Sequence, residues 1–401
     1  MRRAYTSLAV ALLLAAGAGG TAAQSVTSLT GLGYPMVATD ARSEALGGLG
    51  VGLIGLAVPF TNPASAAGVS RRGVVVSAAS TERSSTLGDV SASTGTTRFP
   101  LMRMLFPVGD LVLSAGYGTY LDQSWGVTRT GSEMLSTGSI GYRDVLTSTG
   151  GIGQAQLGAA LPLGRTIAVG LSLTRYTGRQ DVAIRRQFDD TTSIGSLQPY
   201  SETRAFQYGG VGAQVGVRWD PSPAARLAAS VTWSGTLNAD SVAGQVSSQE
   251  YELPLQVAGG ASVYLSTGIM AAFSGRWSGW SVTDPSGGLI EPETTVVSRD
   301  TWEIGGGIEF DDPDRRQVRS FPLRLGFQYR QLPFTFVSDQ PTEWLASAGL
   351  GMRIGADFNT PVARIDLTIQ RGARTAAGGA GIDPLDETLW RFALGVSIFG
   401  T

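Results

Sequence analysis

The connections between apolar-alternating runs in this chain go short, long, short, long from the C-terminal end back to about residue 72. The short joins include residues 107–110, 162–165, 220–225 and 266–268. The long ones include roughly 123–148, 188–201, 236–250, 283–298 and 373–385. A transmembrane antiparallel β-barrel has this rhythm, because tight turns join its strands on the periplasmic side and longer loops join them outside. A soluble sandwich has no reason to keep it.

Within the runs, apolar residues alternate with polar or small ones at period two. Leu323, Leu325, Phe327 and Tyr329 share one face, against Arg324, Gly326, Gln328 and Arg330. Residues 226–234 repeat the pattern, and so does the end of the chain, where Trp390, Phe392, Leu394, Val396 and Ile398 alternate with Arg391, Ala393, Gly395 and Ser397. In lipid the apolar set must face outward, since an unpaired guanidinium at mid-bilayer is costly. Fourteen strands are expected, at about 72–82, 97–107, 110–122, 149–162, 165–187, 202–219, 225–235, 251–265, 267–282, 299–311, 320–331, 343–355, 361–372 and 386–399. The second contains Pro100 and Arg103, and a hairpin hidden in 123–148 would raise the count to sixteen. Tyr120, Trp125, Trp219, Trp233, Tyr251, Trp280, Trp302, Phe310, Phe334, Trp344 and Trp390 fall near strand ends, as interfacial girdles do.

Composition removes several function classes. Histidine and cysteine are absent, and all 30 basic residues are arginine. Ser-His and Ser-Lys nucleophiles, His-ligated zinc and thiol chemistry are therefore excluded, and an enzyme is the least expected class. The net charge of −2 supplies no field for nucleic acid. No cofactor or metal is implied. Asp311-Asp312-Pro313-Asp314 lacks EF-hand spacing and reads as a polar periplasmic turn.

Three regions follow. Residues 1–23, with Arg2, Arg3, the apolar run 8–16 and a small-residue end, read as a secretory signal peptide. Residues 24–71 are Gly/Ala-rich with no sustained periodicity, and 72–401 form the barrel. A fourteen-strand barrel encloses more space than its own side chains fill, so water or a plug must occupy it. Residues 24–71 are the candidate, because an irregular backbone at membrane depth is tolerated only where protein or water satisfies it. Signal and barrel together place the chain in a bacterial outer membrane, in contact with its lipid.

Asp40-Ala-Arg-Ser-Glu-Ala-Leu-Gly-Gly48, leading to Asn62-Pro63-Ala64, resembles the plug segment of the FadL superfamily of outer-membrane barrels. Its members include fatty-acid and aromatic-hydrocarbon channels and the related PorV/PorQ proteins. The stretch from Leu323 to Arg330 is similar to a recurrent late strand of that group. Two features depart from the pattern: the run 53–60 replaces an acidic pair, and Phe399 sits two residues before the end in the inward register. The resemblance implies a barrel plugged from the periplasmic side. It also implies capture of a hydrophobic molecule by the long loops and its exit sideways through a kinked wall or past a shifting plug. Arg42, Gly47, Gly48, Asn62, Pro63 and Ala64 are then the plug motif, with Arg42, Gly47 and Gly48 leaning equally toward the PorV/PorQ branch.

The strand register points Arg218, Arg226, Arg276, Arg324, Arg330, Arg364 and Arg391 inward, with Glu303, Glu309 and Asp366. These side chains either bind a carboxylate head group or pair with one another and with the N-terminal segment. Gly116 and Gly118 are candidates for a kink in the third strand. The leading expectation is passive uptake of a small hydrophobic molecule. The alternative is a non-transport barrel that binds a secretion-system or surface-attachment protein.

Overall fold

The computed structural model describes residues 31–400 except 56, 88–89, 136–137, 189–198, 245–246, 284–296, 312–320, 337–338, 356–361 and 379–383. The expected signal peptide, residues 24–30 and Asp312 to Asp314 lie outside the described residues.

The extended runs are β1 (Tyr34–Pro35), β2 (Gly73–Leu87), β3 (Val90–Val108), β4 (Leu111–Asp122), β5 (Trp125–Leu135), β6 (Gly138–Leu163), β7 (Ile167–Phe188), β8 (Tyr200–Ser222) and β9 (Ala225–Ala243). They continue as β10 (Gln249–Glu252), β11 (Gln256–Ser266), β12 (Ile269–Ser278), β13 (Thr301–Phe310), β14 (Leu323–Gln331), β15 (Thr342–Ile354), β16 (Ala363–Ala376) and β17 (Leu385–Phe399). β4 and β5 both pair with β6, so they are two stretches of one strand. β10 and β11 are related in the same way through β9. With β1 set aside, fourteen antiparallel strands form a ring that β17 closes on β2. No helix among the described residues is long and apolar enough to cross a membrane.

The alternation read from the sequence sets the two faces. Leu323, Leu325, Phe327 and Tyr329 are exposed on the outside, while Arg324, Gln328 and Arg330 are buried inside. An apolar band faces lipid and the polar set faces the interior, as outer-membrane barrels require.

Strand lengths need correction. The described part of 123–148 is not a loop: β5 and the first half of β6 pair from Trp125↔Ser148 to Leu135↔Gly138. They prolong an existing hairpin, so the count stays at fourteen. β9 likewise runs to Ala243, where a connection was expected from 236. The reason is physical. Spanning takes roughly 9–11 residues, and strand beyond the bilayer has no need of an apolar face. β6 has 26 residues, so much of it carries no lipid-facing signature.

The aromatic girdle also needs division. Trp219, Trp233, Trp302, Trp344 and Trp390 do face outward. Tyr120, Trp125, Tyr251, Trp280 and Phe334 are buried. Most of the inward set join one core cluster with Leu32, Tyr176, Phe206 and Tyr208 on the long-connection side.

Candidate functional site: the barrel interior

Residues 32–54 and 57–67 are almost wholly buried. Their regular structure is limited to β1, a five-residue helix α1 (Ala41–Ala45) and a 3-10 turn at Pro63–Ala66. The backbone of this stretch finds its partners on inward-facing side chains around the ring. Thr368 Oγ1 donates to Ala41 O at 2.7 Å, and Gln370 Nε2 to Glu44 O at 3.2 Å. Ser262 Oγ donates to Gly52 O at 2.6 Å, and Gln214 Nε2 to Thr61 O at 2.9 Å. Arg103 of the second strand is buried and donates to Val58 O (3.1 Å) and Pro59 O (2.7 Å).

The motif residues lie at the closest approaches. Asp40 caps α1 by accepting from Ser43 N at 3.0 Å. Arg42 forms a two-point pair with Glu309 on β13, Nε to Oε2 at 2.8 Å and Nη2 to Oε1 at 2.6 Å. Gly47 and Gly48 have φ of 93° and 95°, which lets the chain turn off the helix. Gly47 then lies backbone to backbone against Gly305 and Gly306 of β13. Asn62 accepts from Ala64 N at 2.8 Å and donates from Nδ2 to Val217 O (3.2 Å) and Ala229 O (3.3 Å). A Cβ on Gly216 would collide with Asn62 Oδ1, and one on Gly170 with Ala64 N. Gly116 and Gly118 seat Phe60 and Ala38 of the same segment: added Cβ atoms would lie 2.9 Å and 2.6 Å from them.

The inward charges named from the sequence are placed together in pairs. Arg324 joins Glu309 (2.5 Å) to Asp366 (2.8 Å), and Arg364 also pairs with Asp366 (2.8 Å). Arg276 meets Glu303 at 2.5 Å, and Gln328 donates to the same carboxylate. Arg218 and Arg226 flank Asp220 and donate to the segment at Ala67 O (2.6 Å) and Leu53 O (2.8 Å). Arg391 stands apart, donating to Thr81 Oγ1 at 3.3 Å.

Sequence reading missed the network at the other end. Glu343 accepts from Tyr34 Oη (2.9 Å), Arg330 (2.7 Å) and Arg374 (2.5 Å), and Arg374 continues to Glu387 at 2.6 Å. Three guanidinium groups, of Arg83, Arg330 and Arg374, lie 5.9, 4.7 and 4.3 Å from the Tyr34 ring centre. The expected strand 361–372 stopped short of Arg374, which belongs to β16. Extending the period-two register by one inward position would have found it.

Two of the spaces between segment and wall are small. One cavity of about 60 Å³ is lined by Gln154, Gln156, Gln214, Gln256 and several hydroxyls beneath the Tyr120–Tyr176 contact. A second, about 40 Å³, lies between Glu44, Arg83, Arg98 and Arg391. Glu44 Oε2 has no hydrogen-bond partner among the described residues. Burial pushes its carboxyl up to about 7 against the attraction of Arg391.

One seam of the wall is unzipped. The β3–β4 ladder runs from Val108↔Leu111 to Leu101↔Gly118 and stops. Beyond it, β4 pairs instead with the interior segment, Tyr34 with Asp122 and Pro35 with Leu121. Met36 N donates to Tyr120 O at 2.8 Å in the same place. Arg98 reaches across the seam to Asp122 at 2.6 Å and Ser124 at 3.1 Å. Pro100, which carries no N–H, sits in β3 beside an irregularity between Ser77 and Ala79 of β2.

A family model described as BamG matches residues 1–253, more than half of the chain. The chain belongs to the BamG family. No curated protein matches it. Among solved structures, this BamG-family chain is similar to a FadL homologue of Pseudomonas aeruginosa, with TM-score 0.61 and 12% identity over 91% of this chain and 99% of that one. It is similar to the toluene transporter TodX of Pseudomonas putida, with TM-score 0.54 and 13% identity over 92% and 99%. A TodX variant described as a monoaromatic hydrocarbon channel gives 0.59 and 13% over 91% and 99%. At these identities the likeness shows the fold. The BamG-family chain thus has the β-barrel fold of the FadL-type channels, as the resemblance implied.

Proposed function

We propose that this barrel is a non-enzymatic outer-membrane channel for small hydrophobic molecules, with residues 24–71 as its plug and the β3–β4 seam as its side door. The observation that carries the reading is the seam itself. A closed barrel normally abolishes its edges. Here the edge of β4 is covered by two residues of the interior segment, Tyr34 and Pro35. Withdrawing them would leave a lateral path from interior to lipid. The structures to which the fold is similar are a toluene transporter and a monoaromatic hydrocarbon channel.

The cavity sizes define the state. A cavity of roughly 150 Å³ holds benzene, whereas the space beside Tyr176 is about 60 Å³, with amide, hydroxyl, aromatic and aliphatic side chains in its lining. Passage therefore requires the segment to move. The same observation favours a second reading, in which the barrel stays shut and serves a protein partner.

Native mass spectrometry and lipid extraction of the purified barrel separate the two. A co-purifying fatty acid or hydrocarbon, lost in a variant lacking residues 24–64, supports the channel. A barrel that carries none, and takes up none when incubated with toluene or oleate, contradicts it.

A further inference from the structure

One row of inward positions crosses five adjacent strands, β8, β9, β11, β12 and β13, without a charge. Its cross-strand partners are Gln214↔Thr232, Thr232↔Gln256, Gln256↔Ser278 and Ser278↔Thr301. All five residues line the cavity of about 60 Å³. Gln214 is committed to the interior segment, donating to Thr61 O at 2.9 Å. The hydroxyls of Thr232, Ser278 and Thr301 and the amide of Gln256 make no hydrogen bond among the described residues. Unlike the sealed Oε1 of Gln156, these atoms keep accessible surface, and the cavity is what they line.

The rest of the lining has a different character. The interior segment supplies apolar side chains, Met36, Val37, Ala38 and Phe60. Tyr120, Tyr176 and Trp280 of the aromatic cluster border the same space. Charge at the margin is already matched: Arg276 pairs with Glu303 at 2.5 Å, and Arg330 with Glu343. The cavity therefore sets unmet neutral donors and acceptors on the wall against an apolar segment.

We infer that this row is the polar half of a binding site for a neutral oxygenated aromatic molecule, such as an aromatic alcohol. A hydroxyl both donates and accepts, as the row requires, and the ring takes the segment side. Displacing water from polar groups with an apolar face forfeits their hydrogen bonds, whereas an oxygen restores them. A site built to bind a hydroxyl thus rejects the analogue that lacks it. A carboxylate would lie near Glu303, and like charges brought together are costly. The inference rests on the channel reading, because about 60 Å³ admits the polar end and the ring needs the segment to yield.

The test is equilibrium dialysis of radiolabelled benzyl alcohol, toluene and benzoate against the full-length barrel in nanodiscs, with binding to empty nanodiscs subtracted. Benzyl alcohol is expected to bind saturably and about tenfold tighter than toluene or benzoate, the gain from two net hydrogen bonds. T232V/Q256L breaks no hydrogen bond among the described residues, and in it that preference is expected to vanish. Heat-shifted gel mobility reports whether this variant is folded. If it is not, T232V alone is expected to weaken benzyl alcohol about threefold. Saturable toluene binding as tight as that of benzyl alcohol overturns the inference and leaves the channel reading standing. Tighter binding of benzoate, or an unchanged preference in a folded variant, does the same. No saturable binding of any of the three overturns both.

Discussion

Leu101 and Gly118 are the last residues through which β3 and β4 share a ladder, and from there on the neighbour of β4 is the interior segment. The wall and the segment are therefore one hydrogen-bonded system. Whatever loosens the segment also exposes an edge of β4.

Glu343 holds the upper end of that system. It is fully enclosed by Tyr34, Arg330 and Arg374. Removing one partner of a buried pair leaves uncompensated charge, at a cost of about 3–5 kcal/mol. Glu343→Gln is expected to lower the temperature of the unfolded-band transition on semi-native gels. Tyr34→Phe, which removes only the hydroxyl donating to the Glu343 carboxylate, is expected to cost about 1.5–3 kcal/mol. An unchanged transition in E343Q would mean that the network does not anchor the segment.

At the opposite end, Asn62 occupies the notch left by Gly216. Gly216→Ala pushes a methyl group into Asn62 Oδ1 and Pro63, and overpacking of this kind costs about 1–3 kcal/mol. Asn62→Ala instead removes the hydrogen bonds to the carbonyls of Val217 and Ala229 and leaves Ala64 N without its side-chain acceptor, at about 1–3 kcal/mol. Limited proteolysis should cut within 32–71 faster in both variants, with the strands still protected.

Glu44 makes the docking of the segment pH-dependent. Its carboxyl binds a proton up to about 7 in the folded chain, against 4.5 as the ordinary value. The folded state thus holds more protons than the unfolded one between those values, so stability falls as pH rises from about 4.5 to 7. Asp40 reinforces the shift and Arg391 opposes it. Arg83, Arg98, Arg330 and Asp122 line the same cavity. Melting curves should show a loss of about 3 kcal/mol at most across that window. Glu44→Gln should flatten the slope and be the more stable form at pH 8. A parallel slope in the variant would assign the effect elsewhere.

Much of this architecture was legible because lipid imposes a strict code. Trp390, Phe392 and Ile398 had to face outward, and that fixed Arg391 and Ser397 inside. The code ends where the bilayer ends. β5 and the far parts of β6 and β9 mix apolar residues with polar and small ones without a sustained outward apolar face, so their strands read as loops. Tyr120, Tyr251, Trp280 and Phe334 fell at strand ends, where a girdle and an interior cluster look alike by position. Inward charge was readable from register, but its partners were not. Tyr34 and Glu343 meet across 309 positions of sequence, and no local pattern announces such a pair.

The most direct test of the channel account locks the segment into the seam. Pro35 and Leu121 are register partners in an antiparallel pair, and such Cα separations suit a disulfide. The chain has no cysteine of its own, so P35C/L121C gives a clean background. Uptake of radiolabelled toluene and oleate would be measured in cells displaying this variant, oxidised and then reduced. Uptake at the level of cells lacking the barrel is expected when oxidised, and recovery to the unmodified level on reduction. Equal uptake in the two redox states, with the cross-link verified, would contradict the channel account.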